Sequence, residues 1–253
     1  MVFEPGVTSP ELSDHRHGRL FVLAGQALRI APDAEILDDD LFLGVLDGEP
    51  CFARGVERDA DATPLRQLFG VISDDEFAVA GRALGILAWD RDHRHCGRCG
   101  SQTVRSATER ARTCSACGFV AYPRISPAII TLVERDGRAL LARNARTQMP
   151  FYSTLAGFVE LGETLEECVA REVHEEAGIA IRDVAYFGSQ PWPFTGSLMV
   201  GFTANWASGE LAPDPSEIFD AQWFAPDALP QVPPKLSIAR ALIDDFVRRA
   251  TMM

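Results

Sequence analysis

The sequence predicts an α+β protein in three parts, and three observations carry that prediction. Residues 1–92 combine strand-like apolar runs with one capped helical stretch, residues 93–123 are dominated by cysteine, glycine and arginine, and residues 124–253 return to strands and helices. A chain of 253 residues suits two modest domains or one domain with additions, and 47% hydrophobic content supplies enough apolar material for their cores.

In the first part, Leu20–Leu23 and Leu41–Leu46 read as strands. Asp47-Gly48 is a turn signal, and Cys51–Val56 is the returning strand. Ser73 and Glu76 have capping-box spacing and open a helix through Trp89, with Phe77, Ala80, Leu84, Leu87 and Ala88 at helical intervals. No catalytic spacing stands out here, so a structural or dimerisation role is expected.

The middle segment holds Cys96-x-x-Cys99-Gly100 and Cys114-x-x-Cys117-Gly118, two tight knuckles separated by a stretch long enough for a hairpin. Four thiolates fill a tetrahedral shell and leave no open position, so one structural zinc per chain is expected; the alternative is two redox dithiols or disulfides. His93 and His95 are neighbours of this shell and not members of it. The segment is locally basic, with Arg94, Arg98, Arg105, Arg110, Arg112 and Arg124 against Glu109. Part of that charge offsets a zinc tetrathiolate, and a phosphate-binding face is the functional alternative.

In the third part Ala128–Val133 reads as a buried strand, Asp136-Gly137 as a turn, Ala139–Leu141 as its return, and Thr154–Val159 as another strand. Further strands are expected at 181–188, 198–206 and 221–224. A helix at 165–177 is capped by Thr164 with Glu167 and stopped by Gly178, and Ser237 opens a last helix with Ile238, Ala241, Leu242 and Phe246 apolar.

The helix at 165–177 carries the chemistry. With about 100° per residue and Glu172 at zero, Glu176 falls near +40° and Glu175 near −60°, among Leu165, Cys168 and Val169. A glutamate cluster is ordinarily a solvated face. Here the carboxylates share the apolar stripe, where ionised groups are costly unless paired or metal-bound. That placement predicts a divalent cation of the Mg²⁺ or Mn²⁺ type and hydrolysis of a phosphoanhydride. Arg171 is placed to pair with Glu163 and hold the preceding loop. A net charge of −12 argues against general coating of nucleic acid and fits a metal-bridged anionic substrate.

The 157–179 segment, Gly157-x5-Glu163-x7-Arg171-Glu172-Val173-x-Glu175-Glu176-x-Gly178-Ile179, resembles the Nudix box at every fixed position. The downstream run Ser189-Gln190-Pro191-Trp192-Pro193-Phe194-Thr195-Gly196-Ser197 resembles the SQPWPFPxS signature of the NADH pyrophosphatase (NudC-like) branch, with Thr195 in place of a proline. That branch also carries a four-cysteine zinc ribbon ahead of the Nudix domain. The resemblance implies a Nudix-type α/β/α sandwich with a mixed sheet at 124–253, the ribbon at 93–123 and a Nudix-like domain at 1–92.

It further implies hydrolysis of NAD(H) to nicotinamide mononucleotide and AMP, and extends to NAD caps of RNA; the alternative is another nucleoside diphosphate derivative such as ADP-ribose. Glu172, Glu175 and Glu176 become catalytic carboxylates. With Ala156 and Glu217 they become the ligands of two or three Mg²⁺ or Mn²⁺ ions. Glu109, Tyr122, Phe158, Gln190–Ser197 (Pro191, Trp192, Pro193, Phe194, Thr195 and Gly196 between them) and Ala239 become substrate contacts. A homodimer is implied. A zinc-ribbon nucleic-acid binder with an inactive Nudix domain is the rival from another class. Met1–Pro10 lacks a secretory pattern and no apolar run approaches a bilayer span, so a cytoplasmic protein without membrane contact is expected.

Overall fold

The computed structural model describes residues 2–7, 17–145 and 150–252. The reading of Met1–Pro10 falls partly outside these residues. The chain divides into two compact units, one of residues 1–124 and 193–196, the other of residues 125–192 and 197–253.

The first unit contains β1 (Phe3–Pro5), β2 (His17–Ala24), β3 (Ala27–Glu35), β4 (Leu41–Leu46), β5 (Glu49–Val56), β6 (Thr63–Pro64), a 3₁₀ turn at Leu65–Leu68, and α1 (Asp74–Asp92). The ribbon adds β7 (Thr103–Arg105), β8 (Arg112–Cys114) and β9 (Val120–Ala121). The larger sheet runs β1-β4-β5-β2-β3-β6, with β2 and β5 parallel and the other pairs antiparallel. Alternation along β2 sends Phe21 and Leu23 against α1 and Leu20 and Val22 to the opposite face, beside Phe42 and Phe52. The capping box predicted at Ser73 and Glu76 is formed in both directions. The buried stripe of α1 runs through Val79, Ala80, Ala83 and Ile86, with Phe77, Leu84 and Leu87 at its margin.

The second unit contains β10 (Ser126–Arg135), β11 (Arg138–Asn144), β12 (Leu155–Phe158), α2 (Leu165–Ala177), β13 (Ala180–Trp192), β14 (Ser197–Ser208), β15 (Ile218–Phe224) and α3 (Ile238–Thr251). Its sheet runs β13-β14-β10-β11-β15. β10 and β14 are parallel, the other pairs antiparallel, so the sheet is mixed. One face packs on α2 through Ile129, Val133, Leu140, Cys168, Val169 and Val173. The other packs on α3 through Ile130, Leu132, Leu242, Ile243 and Phe246. This is the expected α/β/α sandwich. Burial on both faces explains why Ala128–Val133 reads as an unbroken apolar run. In α3 the inward positions include Ala239 and Ile243, while Ala241 faces solvent.

Two departures shape the site. β10 pairs with β11 only from Val133 onward, and β12 takes the same edge from Ala128 to Thr131. The end of β12 therefore lies inside the sheet and next to α2. In addition, the strand expected at 181–188 runs on through Ser189–Trp192, which continue β13. β13 is an edge strand, so Pro191 interrupts no inner ladder. Residues 193–196 form the hairpin tip, with Gly196 at φ 69°.

Candidate active site

Two caps set the length of α2. Thr164 Oγ1 accepts from Glu167 N at 3.2 Å while Glu167 Oε2 accepts from Thr164 N at 2.8 Å. Gly178 takes the left-handed conformation at φ 73° and donates its N–H to the His174 carbonyl. Between these ends, Glu172 and Glu176 are buried, while the Glu175 side chain is 57% exposed. The predicted inward stripe thus holds two of the three carboxylates; at one turn's remove, Glu175 sits on its rim.

Gly157 explains itself against Glu172. A Cβ at residue 157 would lie 1.8 Å from Glu172 Cδ, so any side chain would displace the carboxylate. Arg171 organises the same region. Its Nε and Nη2 form a two-pronged pair with Glu163 at 2.7 and 2.9 Å, and Nη1 donates to Glu172 at 2.8 Å and Glu175 at 2.9 Å. Nη2 also reaches the Phe158 carbonyl at 3.0 Å, tying β12 to α2. The Arg171 hydrogen bonds draw the Glu163 carboxyl down to about 2. The loop-holding role expected for this pair is what the geometry shows.

Glu176 is in the opposite situation. Burial, then the charges of Glu172 and Glu217, push its carboxyl up to about 8, against a hydrogen bond from the Ala156 backbone. Burial likewise raises Glu172. Glu176 Oε2 is buried with no hydrogen-bond partner. An orphaned carboxylate oxygen, close to further carboxylates and lacking an arginine, is a poor structural element and a good ligand for a hard cation. The donor set therefore fits Mg²⁺ or Mn²⁺. Among the described residues the glutamate oxygens are not gathered as closely as the four cysteine sulfurs, because Arg171 draws Glu172 and Glu175 to itself.

The ribbon gathers its ligands tightly. Cys96 and Cys117 sulfurs stand 3.6 Å apart, as do those of Cys99 and Cys114, and all four lie within 4.8 Å. A zinc tetrathiolate with bonds of about 2.3 Å has edges of about 3.8 Å, so the residues fit zinc. Gly100 and Gly118, at φ 76° and 72°, close the knuckles by donating to the Cys96 and Cys114 carbonyls. The His93 ring is bonded to the Trp89 carbonyl at 2.8 Å, which places it at the end of α1.

The arginines of the ribbon divide. Arg105 and Arg112 both bind Asp90, which is only 3% exposed, at distances of 2.6–2.9 Å. Arg112 also donates to Thr103. These two side chains fasten the ribbon to α1 and are not part of an open basic face. A signal was present in the sequence: Asp90 falls on the stripe of Val79, Ala83 and Ile86, an acid where an apolar residue is expected.

The remaining candidates are placed as follows. Tyr122 and Glu109 are bonded to each other at 3.2 Å and exposed. Phe158 projects into solvent from the end of β12. The Gln190 amide is engaged with the start of α3, donating to the Leu236 carbonyl and accepting from Ile238 N, both at 2.8 Å, next to buried Ala239. Trp192 is half-buried, Thr195 exposed, and Ser197 buried. Phe194 packs at the edge of the first unit's core, with the Arg66 guanidinium 3.9 Å from its ring centroid and Gln26 donating to its carbonyl. Glu217 precedes β15, and its charge acts on both Glu172 and Glu176.

Comparison with known proteins agrees in three successive segments. Residues 13–89 match the NADH pyrophosphatase-like rudimentary NUDIX domain, residues 91–122 the NADH pyrophosphatase zinc ribbon domain, and residues 123–246 the NUDIX domain. The chain is 48% identical over 212 residues to the NAD-capped RNA hydrolase NudC of Stutzerimonas stutzeri, covering 82% of this chain and 77% of that protein. It is 44% identical over 231 residues to the NAD-capped RNA hydrolase NudC of Deinococcus radiodurans, covering 88% and 78%. A Nudix hydrolase from Nitrosomonas europaea shares the fold at a TM-score of 0.55 and 18% identity, over 63% of this chain and 93% of that one. With the carboxylate helix, the four-cysteine ribbon and these matches in one chain order, the protein belongs to the Nudix hydrolase family, in the branch built from an NADH pyrophosphatase-type N-terminal domain, zinc ribbon and Nudix domain.

Proposed function

We propose that this protein hydrolyses the diphosphate of NAD(H) to nicotinamide mononucleotide and AMP, and removes NAD caps from RNA by the same reaction. The observation that carries the chemistry is Glu176, a buried carboxylate with an orphaned oxygen on the Nudix helix. The substrate rests on the zinc ribbon, the 190–197 hairpin and the named activity of the relatives.

In this reading Glu172, Glu175, Glu176, Glu217 and the main chain of Ala156 hold two or three Mg²⁺ or Mn²⁺ ions. When bound, such ions neutralise the diphosphate and lower the pKa of a coordinated water. Arg171 and Glu163 hold the loop before α2 and keep the carboxylates oriented. Phe158 and the 190–197 hairpin receive the rings of the dinucleotide, with Glu109, Tyr122 and Ala239 as further contacts. Gln190, spent on the start of α3, positions Ala239 and the hairpin; Phe194, packed beside Arg66, anchors the hairpin tip. Cys96, Cys99, Cys114 and Cys117 hold one structural zinc. The domains are assigned as 1–92, 93–123 and 124–253, the working form as a homodimer, and the compartment as the cytoplasm. No described helix is long and apolar enough to cross a membrane.

The test is a panel of NADH, NAD⁺, ADP-ribose and NAD-capped RNA with added Mn²⁺ or Mg²⁺, products identified by mass. AMP and nicotinamide mononucleotide from NADH are expected, and Glu176→Gln is expected to lose that activity. Turnover of ADP-ribose alone would overturn the substrate; undiminished turnover by Glu176→Gln would overturn the site. Light scattering is expected to give twice the 27.7 kDa chain mass.

A further inference from the structure

Two exposed aromatic rings of the second unit stand on strands that carry the site: Phe158 ends β12, and Phe219 lies at the start of β15, just after Glu217. Phe158, from β12, is already used for the dinucleotide. Phe219 is not, although it is 67% exposed and lies two residues beyond Glu217. Its exposure has a cause in the register of β15. Asp220 pairs with Arg143 and Ile218 pairs with Asn144, so Phe219 is the extra residue of a β-bulge. A bulge re-aims one side chain without sacrificing its neighbours. Here Ile218 remains in the core, Glu217 keeps its carbonyl on Ala145 N at 2.7 Å, and Phe219 turns outward.

The ring is not left to wander. The Arg143 guanidinium, from the neighbouring strand β11, lies 4.1 Å from its centroid. Arg143 forms no salt bridge of contact length among the described residues; its charge also acts on the Asp220 carboxyl, its partner across the β11–β15 ladder, while the guanidinium stays over the ring. A flat ring backed by a cation, in a chain of net charge −12, is a local exception. It is the pairing by which single-stranded nucleic acid is held: a base stacks on the ring while the cation meets the phosphate. Two residues of extended strand span about 7 Å, so the ledge begins one step from a carboxylate of the metal site.

We propose that Phe219 and Arg143 form a subsite for the nucleotide that follows the cap in NAD-capped RNA. This subsite rests on the cap-removal reading above. NADH, which ends at its two nucleotides, does not reach it.

The experiment compares kcat/KM of the full-length protein on NADH and on a short NAD-capped RNA. Phe219→Ala is expected to lower the value on capped RNA about tenfold, within the range for loss of one base–aromatic stack, and to leave NADH within about twofold. Phe219→Trp is expected to restore it. Arg143→Gln is expected to lower the capped-RNA value alone and to flatten its salt dependence. Equal losses on both substrates, or no loss on capped RNA, would overturn the subsite. Wild-type protein that cleaves NADH but not capped RNA would instead overturn the cap-removal reading, and the subsite with it. Melting temperatures of the variants identify any that fail to fold.

Discussion

Asp90 on α1 and Glu176 on α2 are buried to nearly the same degree, 3% and 5% exposed, on helices that open with the same capping box. Their surroundings are opposite. Burial alone would raise the Asp90 carboxyl, but hydrogen bonds from Arg105 and Arg112 outweigh it and hold the group below its ordinary value. At Glu176 burial acts with the charges of Glu172 and Glu217, and the carboxyl rises to about 8. Burial therefore does not separate a structural acid from a functional one. What separates them is whether the protein itself supplies the counter-charge.

That contrast can be broken in several ways. The largest effect is expected at Glu176→Gln, which keeps the shape and removes the charge. NADH turnover should fall on the order of 10²–10⁴-fold, while the metal-free protein melts no lower than wild type. A large loss of stability would mean that Glu176 has a structural partner after all. Asp90→Asn should do the reverse. Two arginines, one of them buried, lose their acid, and urea unfolding should show a loss of about 3–5 kcal/mol, with turnover per folded molecule unchanged.

The pH dependence should differ in sign. Glu176 titrates near 8 in the fold and near 4.5 in the unfolded chain, so the folded state holds the extra proton between these values. Stability of the chelated protein should therefore fall as pH rises from about 4.5 to about 8, by about 1.4 kcal/mol per unit of separation. Glu176→Gln should abolish that slope. Asp90, held low in the fold, loses its contribution only as pH falls below about 4. Mn²⁺ binding near neutral pH should release a proton in wild type and not in Glu176→Gln, measured by calorimetry in two buffers. A smaller loss of stability than at Asp90→Asn is expected at Gly157→Ala. The new methyl must displace the Glu172 carboxylate, costing about 1–3 kcal/mol in unfolding and most of the turnover. Wild-type turnover in that variant would show that Glu172 tolerates another position.

Much of the site was legible because its spacing is local. The two capping boxes, the Gly178 stop, the Glu163–Arg171 pair and the cysteine knuckles each depend on residues within one or two turns. The projection of Glu172 and Glu176 onto the apolar stripe succeeded for the same reason. It placed Glu175 too far inward, because a stripe drawn by angle alone does not say where its rim meets solvent. The strand expected at 181–188 was drawn too short for a different reason. Pro191 lies beyond that bound, yet an edge strand tolerates proline, and only sheet order shows which strand is the edge. The partners that Gln190 and Phe194 meet within the fold, Ile238 and Arg66, are distant in sequence and were not legible there.

The sequence by itself determined the three helices with their caps, the zinc shell and the type of reaction, since helical period, cap chemistry and knuckle spacing are properties of short segments. The tertiary structure decided which acids are satisfied. Asp90 meets Arg105 and Arg112 only once the ribbon folds onto α1, and Gly157 meets Glu172 only once β12 enters the edge of β10. It also decided that Phe219 stands out from β15, because a bulge exists only relative to the strand it pairs with.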